Sequence, residues 1–178
     1  MDNLIAKNRI RPVALALVTH GGDARAIEYL CSEATLGFLY DRVLSLATQE
    51  LNLIDLQGKL GGFGIMGASM GGLMALYTSL RMPDIFGHSL SQSGVFSFED
   101  HDFIVMDMVR YLPVPPVKIW MDVGKFEYLL ASNRVMHQLM VDRGYQIHYR
   151  EYQGEHNYTS WRNDLWRGLE FLFLQNTP

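Results

Sequence analysis

The chain has 178 residues, 48% of them apolar and 19% charged, with a formal net charge of −4. These values are typical of one globular domain and argue against a strongly basic, nucleic-acid-binding surface. No apolar run is long enough to cross a bilayer, the N-terminus lacks the pattern of a signal peptide, and Cys31 is the only cysteine. We therefore expect a single domain over residues 1–178, located in the cytoplasm, that binds neither nucleic acid nor membrane.

Short apolar runs and helical patterns alternate along the chain. Residues 12–19 form a continuous apolar run, which predicts a strand buried on both faces, and residues 20–23 close it as a loop. Apolar side chains recur at helical spacing over residues 34–51, and a connecting loop is predicted over residues 53–61.

Four more strands and three more helices are predicted in the rest of the chain. The strands lie at residues 63–67, 86–92, 117–123 and 146–152, and the helices at residues 70–81, 128–143 and 161–174. Pro83 ends the first of these helices, and Gly144 is a natural C-cap for the second. Strands that alternate with helices predict a mostly parallel sheet of about five strands with helices packed on it.

One pentapeptide has a pattern that indicates chemistry. GASMG at residues 67–71 has the form G-x-S-x-G and lies between a predicted strand and a predicted helix. In that context the serine sits in a sharp turn, and the flanking glycines, with Gly72, leave room for the neighbouring strand and helix. The Met70 N–H, at the start of the helix, would stabilise an oxyanion. A plain glycine-rich turn is the alternative, but the context favours a nucleophile elbow with Ser69 as the nucleophile.

A serine nucleophile needs a base, and His156 is the best candidate. It is the only histidine that is both late in the chain and in a predicted loop, as the order serine, acid, histidine of α/β-hydrolases requires. His20 ends the first strand and either lines the pocket or caps its loop. The other four lie in predicted strands, a helix or an acidic stretch, where structural or solvated roles are expected: His88, His148, His137 and His101.

The acid of such a triad should follow the preceding strand, where two carboxylates occur. Glu127 lies just past the strand, in the turn into the next helix, and Asp122 lies near the end of the strand. Glu127 could instead interact with the helix dipole, and Asp122 could fix a loop by hydrogen bonding. The position after the strand favours Glu127.

Three segments together resemble the enterochelin-esterase and esterase D group of the α/β-hydrolases. They are residues 67–73 with 83–87 and 90–94, residues 124–127, and residues 154–157 with Trp161 and Arg162; residues 25–29 resemble an Arg-x-x-Glu-Tyr segment of the group. The resemblance covers nearly the whole chain. It implies a three-layer α/β-hydrolase fold, with Ser69 as nucleophile, His156 as base and Glu127 as acid.

The sequence departs from this family at its N-terminal side. Family members carry further strands and a helix before the segment that corresponds to residues 11–19, so we expect a truncated form of the fold. The loop after the third strand, which supplies the second oxyanion-hole N–H in this fold, has no counterpart here. The chain is either a fragment of a longer protein or a short form that supplies the second donor differently.

The resemblance implies a carboxylic ester hydrolase without a cofactor, and ferric-siderophore, feruloyl-type and short acyl esters all fit it. No histidine–carboxylate spacing predicts a metal site. A non-catalytic hydrolase scaffold and an acyltransferase with the same triad are the alternatives. The candidates for substrate contact are Arg25, His20, Arg162 and Trp161, although surface ion pairs explain the two arginines equally well.

The missing third strand also leads to a prediction about assembly. We expect residues 12–19 to pair with strand 63–67 through a right-handed crossover that contains the 34–51 helix. Successive crossovers of one hand would place their helices on one face of the sheet, leaving the 161–174 helix and the N-terminal segment for the other. The outer strand would then expose an apolar surface, so a homodimer or higher oligomer is expected.

Overall fold

The computed structural model describes residues 1–54, 61–99 and 101–174. Within these residues the main sheet has four strands in the order β1-β2-β5-β6. All neighbours in this sheet run parallel, so the carboxyl ends of its strands lie at one edge. The strands are β1 (Phe63–Ala68), β2 (Phe86–Gln92), β5 (Lys118–Gly124) and β6 (Gln146–Tyr152); β3 (Ser97–Phe98) and β4 (His101–Asp102) form a separate antiparallel pair.

Eight α-helical segments occur in the described residues: α1 (Asp2–Ala6), α2 (Arg25–Tyr29), α3 (Glu33–Phe38), α4 (Ser45–Glu50), α5 (Met70–Arg81), α6 (Ile104–Tyr111), α7 (Leu130–Arg143) and α8 (Tyr158–Phe173). A π-helical turn, Leu39–Leu44, joins α3 to α4, so the helix predicted at residues 34–51 is confirmed. Gly144 ends α7 with a φ of 83°, as expected of a C-cap glycine. The short helix α6 was not predicted, and most of the predicted 53–61 loop lies outside the described residues.

Helices cover both faces of the main sheet and give the predicted three layers. On one face, α5, α6 and α7 pack on the strands and bury Leu73, Leu76, Val105, Val109, Met136 and Met140 with Ile119 and Met121. On the other face, α8 covers β2 and β5 and buries Leu90, Trp120 and Leu172, and α1 adds Leu4 beside Ile10 and Leu169. The predicted division of helices between the two faces is therefore confirmed.

The strand predicted at residues 12–19 is wrong. In the described residues this segment has no regular secondary structure, and β1 pairs with β2 alone and forms an edge of the sheet. Leu15 is 50% exposed and Leu17 is 84% exposed, so the segment is not buried on both faces either. A strand forms only by hydrogen bonding to a neighbour, and an apolar pattern does not specify that the segment pairs: residues 12–19 make no such bond to β1 although β1 is present. The sheet consequently has one strand fewer than the five predicted.

Candidate active site

Four polar residues follow the four strands of the main sheet at their shared carboxyl edge. Ser69 follows β1, Ser93 follows β2, Glu127 comes three residues after β5, and His156 comes four residues after β6. Parallel strands bring their carboxyl ends to one edge, where ligands bind in open α/β sheets. The chain topology thus brings together residues that are up to 87 positions apart in the sequence.

Ser69 occupies a strained turn between β1 and α5. Its backbone has φ 60° and ψ −124°, a conformation that non-glycine residues rarely adopt. A Cβ atom at Gly67 would lie 2.3 Å from the Gly71 carbonyl oxygen, and one at Gly72 would lie 2.8 Å from Ser91 Oγ. Close packing therefore requires Gly67 and Gly72, as predicted. The prediction that Gly71 is also required is wrong, since a Cβ there would meet no atom within 4 Å among the described residues beyond its chain neighbours and its own helix backbone.

Ser69, His156 and Glu127 form a continuous chain of hydrogen bonds. Ser69 Oγ lies 3.0 Å from His156 Nε2, and His156 Nδ1 lies 2.6 Å from Glu127 Oε2. An ionised carboxylate has no hydrogen to donate and can only accept. In that arrangement Nδ1 of the neutral ring carries the hydrogen, and Nε2 is free to accept from the serine. This arrangement lets the imidazole remove the serine proton while the carboxylate stabilises the resulting positive charge.

Glu127 is held by two further donors. Its side chain is fully buried, and Oε1 accepts from the Gly124 N–H at 2.5 Å and from Ser93 Oγ at 2.7 Å. Three donors on one carboxylate offset the cost of burying its charge and fix its plane.

Asp122, the alternative acid, lies elsewhere. Its Oδ2 accepts from Trp120 Nε1 at 2.7 Å and from Gln92 Nε2 at 3.2 Å, and Oδ1 is buried without a partner among the described residues. Burial in this environment raises the pKa of Asp122 to about 7. The structure therefore brings Glu127, and not Asp122, to His156.

Aromatic rings surround the imidazole of His156. The ring of Trp161 is nearly perpendicular to it, with the centroids 4.9 Å apart, and the centroid of the tilted Tyr128 ring lies at 5.3 Å. Trp161 is buried, whereas Tyr128 is 73% exposed, so Trp161 supports the histidine and Tyr128 forms an open rim. Tyr128 and Ser93 were not predicted as site residues, although Ser93 lies in the segment 90–94 that resembles the family and Tyr128 begins the helix predicted after the strand 117–123.

The predicted substrate contacts lie in three parts of the molecule. Arg25 Nη1 lies 3.4 Å from Met70 Sδ, which places a cation beside the start of α5. Arg162 and Trp161 line an open groove of about 390 Å³ between α8 and the carboxyl half of β1. His20 is exposed, and its Nδ1 accepts from the Gly22 N–H at 3.1 Å, the loop-capping arrangement that was the alternative expectation.

Two features are absent from residues 1–54, 61–99 and 101–174, a cluster of metal ligands and a membrane-spanning helix. These ranges contain no group of three His, Cys, Asp or Glu side chains that could hold a metal ion. None of their helices is long and apolar enough to span a membrane.

A parallel sheet with helices on both faces and a strand–turn–helix elbow at its carboxyl edge defines the α/β-hydrolase fold. Comparison with known proteins identifies the family within this fold class to which the chain belongs. The model of the family "Esterase", described as "Putative esterase", matches residues 1–172, and the chain belongs to this family.

Two curated relatives are iron(III) enterobactin esterases. The protein of Dickeya dadantii is 30% identical over 173 residues, which cover 88% of this chain and 39% of that protein. The protein of Escherichia coli K12 is 28% identical over 112 residues, which cover 59% of this chain and 28% of that protein. The chain therefore spans less than half the length of these relatives.

Solved structures of similar proteins share the fold. The enterobactin esterase of Shigella flexneri has a TM-score of 0.81 at 24% identity, over 96% of this chain and 46% of that one. A ferulic acid esterase has a TM-score of 0.72 at 20% identity, over 97% of this chain and 75% of that one.

Proposed function

We propose that this protein is a serine carboxylic ester hydrolase. The observation that carries the proposal is the hydrogen-bonded series Ser69–His156–Glu127, with 3.0 Å and 2.6 Å between successive residues. Membership of the esterase family supports it. The strained turn at Ser69 also supports it, because nucleophile elbows hold their serine in such a conformation.

Each residue has a distinct role in this mechanism. Ser69 Oγ attacks the ester carbonyl while His156 Nε2 takes its proton and later returns it to the leaving alcohol. Water then attacks the acyl-enzyme, with His156 acting as base again, and releases the acid. Glu127 holds the imidazole in the correct tautomer and stabilises its charged form.

The Met70 N–H is the proposed donor to the oxyanion. It lies at the first position of α5, where the helix dipole also favours negative charge. Loss of one of two oxyanion donors lowers turnover by ~10²–10³. Because no second donor is assigned in the described residues, a non-catalytic scaffold with an intact triad is the competing function.

Anionic aromatic acyl esters are the substrates that the surroundings of Ser69 support best among siderophore, feruloyl-type and short acyl esters. Arg25 beside Met70 and Arg162 in the groove supply positive charge, and exposed Tyr128 and Tyr158 supply aromatic surface. A higher kcat/KM for a carboxylate-bearing aryl ester than for its neutral methyl analogue is expected. An unchanged ratio in Arg25→Gln would contradict a role for that side chain.

We also propose that the protein assembles as a homodimer or higher oligomer in the cytoplasm. The support is that β1 pairs with β2 alone among the described residues, together with the exposed apolar side chains of residues 12–19. Each copy carries both the strand edge and the apolar segment, so two copies could cover each other's exposed surface reciprocally.

A serine-reactive phosphonate tests the hydrolase proposal directly. The folded wild-type protein should gain one adduct at Ser69 and should hydrolyse p-nitrophenyl acetate, and the Ser69→Ala variant should do neither. Labelling without hydrolysis would support the scaffold instead. A folded protein that neither reacts nor hydrolyses would contradict both the nucleophile and the function.

A further inference from the structure

Ser93, which the mechanism above does not use, is buried directly beneath the triad. It is 0% exposed and follows β2, between the strands that carry Ser69 and Glu127. Its φ of 49° is unusual for a residue with a side chain. Its N–H donates to the Asp122 carbonyl oxygen at 2.7 Å, which ties this strained turn to β5. Strained residues of this kind cluster at functional sites.

The hydrogen bonds of the Ser93 hydroxyl have a fixed direction. Trp161 Nε1 lies 3.0 Å from Ser93 Oγ, and an indole nitrogen can only donate. The serine oxygen must therefore accept from Trp161, and its own hydrogen is directed to Glu127 Oε1, 2.7 Å away. The order of donation is thus Trp161 to Ser93 to Glu127, on the opposite oxygen from the one that accepts from His156.

We propose that Ser93, oriented by Trp161, is a positioning residue that locks the carboxylate of Glu127 toward His156. The inference rests on the proposed function of the triad. With the hydroxyl in place, Oε1 is held by the Gly124 N–H and by Ser93, so Oε2 must face Nδ1. Without it, the carboxylate can rotate about its last bond, and the 2.6 Å contact with His156 is no longer enforced.

Trp161 contributes to the same site in two ways. Its ring packs edge-on against His156 at 4.9 Å, and its N–H directs the Ser93 hydroxyl. One buried side chain therefore restrains both the base and, through Ser93, the acid. This connection explains why a tryptophan lies in the first turn of α8, next to a groove that it lines only in part.

The central experiment compares two buried serines that differ in this one contact. Ser93→Ala removes the donor to Glu127, whereas Ser91→Ala removes a hydroxyl that is equally buried and has no partner among the described residues. A lost hydrogen bond to a charged group predicts a fall in kcat of about ten- to a hundred-fold for Ser93→Ala, with KM unchanged. Ser91→Ala should stay within about two-fold of the wild type, because no bond is lost.

A second variant separates the hydroxyl from the backbone strain. Ser93→Gly adopts a φ of 49° without a side-chain penalty, so it relieves the strain but also lacks the donor. If Ser93 acts through its hydroxyl, Ser93→Gly should be as slow as Ser93→Ala. Wild-type turnover in Ser93→Gly would show that only the turn matters and would overturn the inference.

A spectroscopic measurement decides the inference without turnover. The proton on His156 Nδ1, in a short bond to Glu127, should give a far-downfield NMR resonance in the free protein. This resonance should move upfield and exchange faster with water in Ser93→Ala, and to a smaller extent in Trp161→Phe, but not in Ser91→Ala. The effects of Ser93→Ala and Trp161→Phe should be less than additive, because both act on one bond.

The outcomes separate this inference from the proposed function. An active wild type with an unchanged resonance and unchanged kcat in Ser93→Ala would overturn the positioning role alone. A wild type that neither hydrolyses esters nor reacts with the phosphonate would overturn the hydrolase function, and the resonance would still decide whether Ser93 holds Glu127 to His156.

Discussion

At the carboxyl ends of the four parallel strands, polar side chains are buried and hydrogen-bonded to one another, whereas in residues 12–19 apolar side chains are exposed. Glu127 has three donors around a fully buried carboxylate. In residues 12–19, by contrast, Leu17 is 84% exposed, and the backbone–backbone hydrogen bonds of the described residues include none from residues 12–20.

The two regions differ in what determines their structure. The buried site is restrained by the sheet register, by the helices on both faces and by directional hydrogen bonds, so each atom has few alternative positions. Residues 12–20 carry an apolar pattern but make no backbone–backbone hydrogen bond in the described part of the chain. Their conformation is therefore restrained by side-chain contacts alone. We expect substitutions to affect chemistry in the first region and association in the second.

The largest effect is expected at the nucleophile. Ser69→Ala should reduce ester hydrolysis by about 10⁶-fold, as removal of the serine does in other triads, while leaving the unfolding transition nearly unchanged. Ser89→Ala is a suitable control, since Ser89 lies buried in the middle of β2, away from the triad. Turnover of p-nitrophenyl acetate and circular dichroism would measure both effects. Substantial turnover by a folded Ser69→Ala protein would mean that another residue attacks the ester.

The two carboxylates should differ next most strongly. Glu127→Gln leaves His156 without an anionic partner and should lower kcat by about 10³–10⁴-fold, as loss of the triad acid does elsewhere. Asp122→Asn should cost less than about ten-fold, because Asp122 makes its bonds to Trp120 and Gln92 instead. Steady-state kinetics of the two purified variants would compare them. A larger loss in Asp122→Asn would identify Asp122 as the acid, and two small losses would indicate a Ser–His dyad.

Asp122 should also make stability depend on pH. Burial raises its pKa to about 7 in the folded protein, so between the ordinary aspartate pKa and about 7 the folded state binds more protons than the unfolded state. Unfolding free energy should therefore fall as pH rises through this window, by at most a few kcal/mol at about 1.4 kcal/mol per pKa unit.

The variant Asp122→Asn isolates this contribution, because asparagine is neutral throughout. Urea unfolding at pH 5 and pH 8 should show a smaller loss of stability in the variant than in the wild type. An identical pH dependence in both proteins would show that Asp122 is ionised in the folded state at pH 5 as well.

The contrast between the two regions also explains what the sequence could predict. The bounds of α5, β2 and β6 agree with the sequence pattern, because local signals such as Pro83 act within a few residues. The parallel direction of the strands then follows from the alternation of strands and helices along the chain. Residues 12–19 carried an equally strong apolar pattern, but pairing with a neighbour is not local information.

The candidate site divides in the same way. Ser69 has a motif, and His156 and Glu127 follow from the chain order of a triad, so all three could be proposed from the sequence. Ser93 has no motif of its own, since its role depends on a buried contact with Trp161, 68 positions away. The available signals were its position after a predicted strand and its place in the segment 90–94 that resembles the family.

The smallest effect on the folded monomer is expected at the exposed segment. Leu17→Lys places a charge on a side chain that is already 84% exposed, so the unfolding free energy should change by less than about 0.5 kcal/mol.

Association should change much more, because a lysine at an apolar contact between copies is costly to bury. Val135→Lys, on α7, is the matched control, since Val135 is 54% exposed and α7 packs on β5 and β6, at the other side of the sheet from β1. Light scattering at high micromolar concentration should give an oligomer for the wild type and Val135→Lys and a smaller species for Leu17→Lys. A monomeric wild type would contradict the proposed assembly, and equal masses for all three proteins as oligomers would place the contact away from residues 12–19.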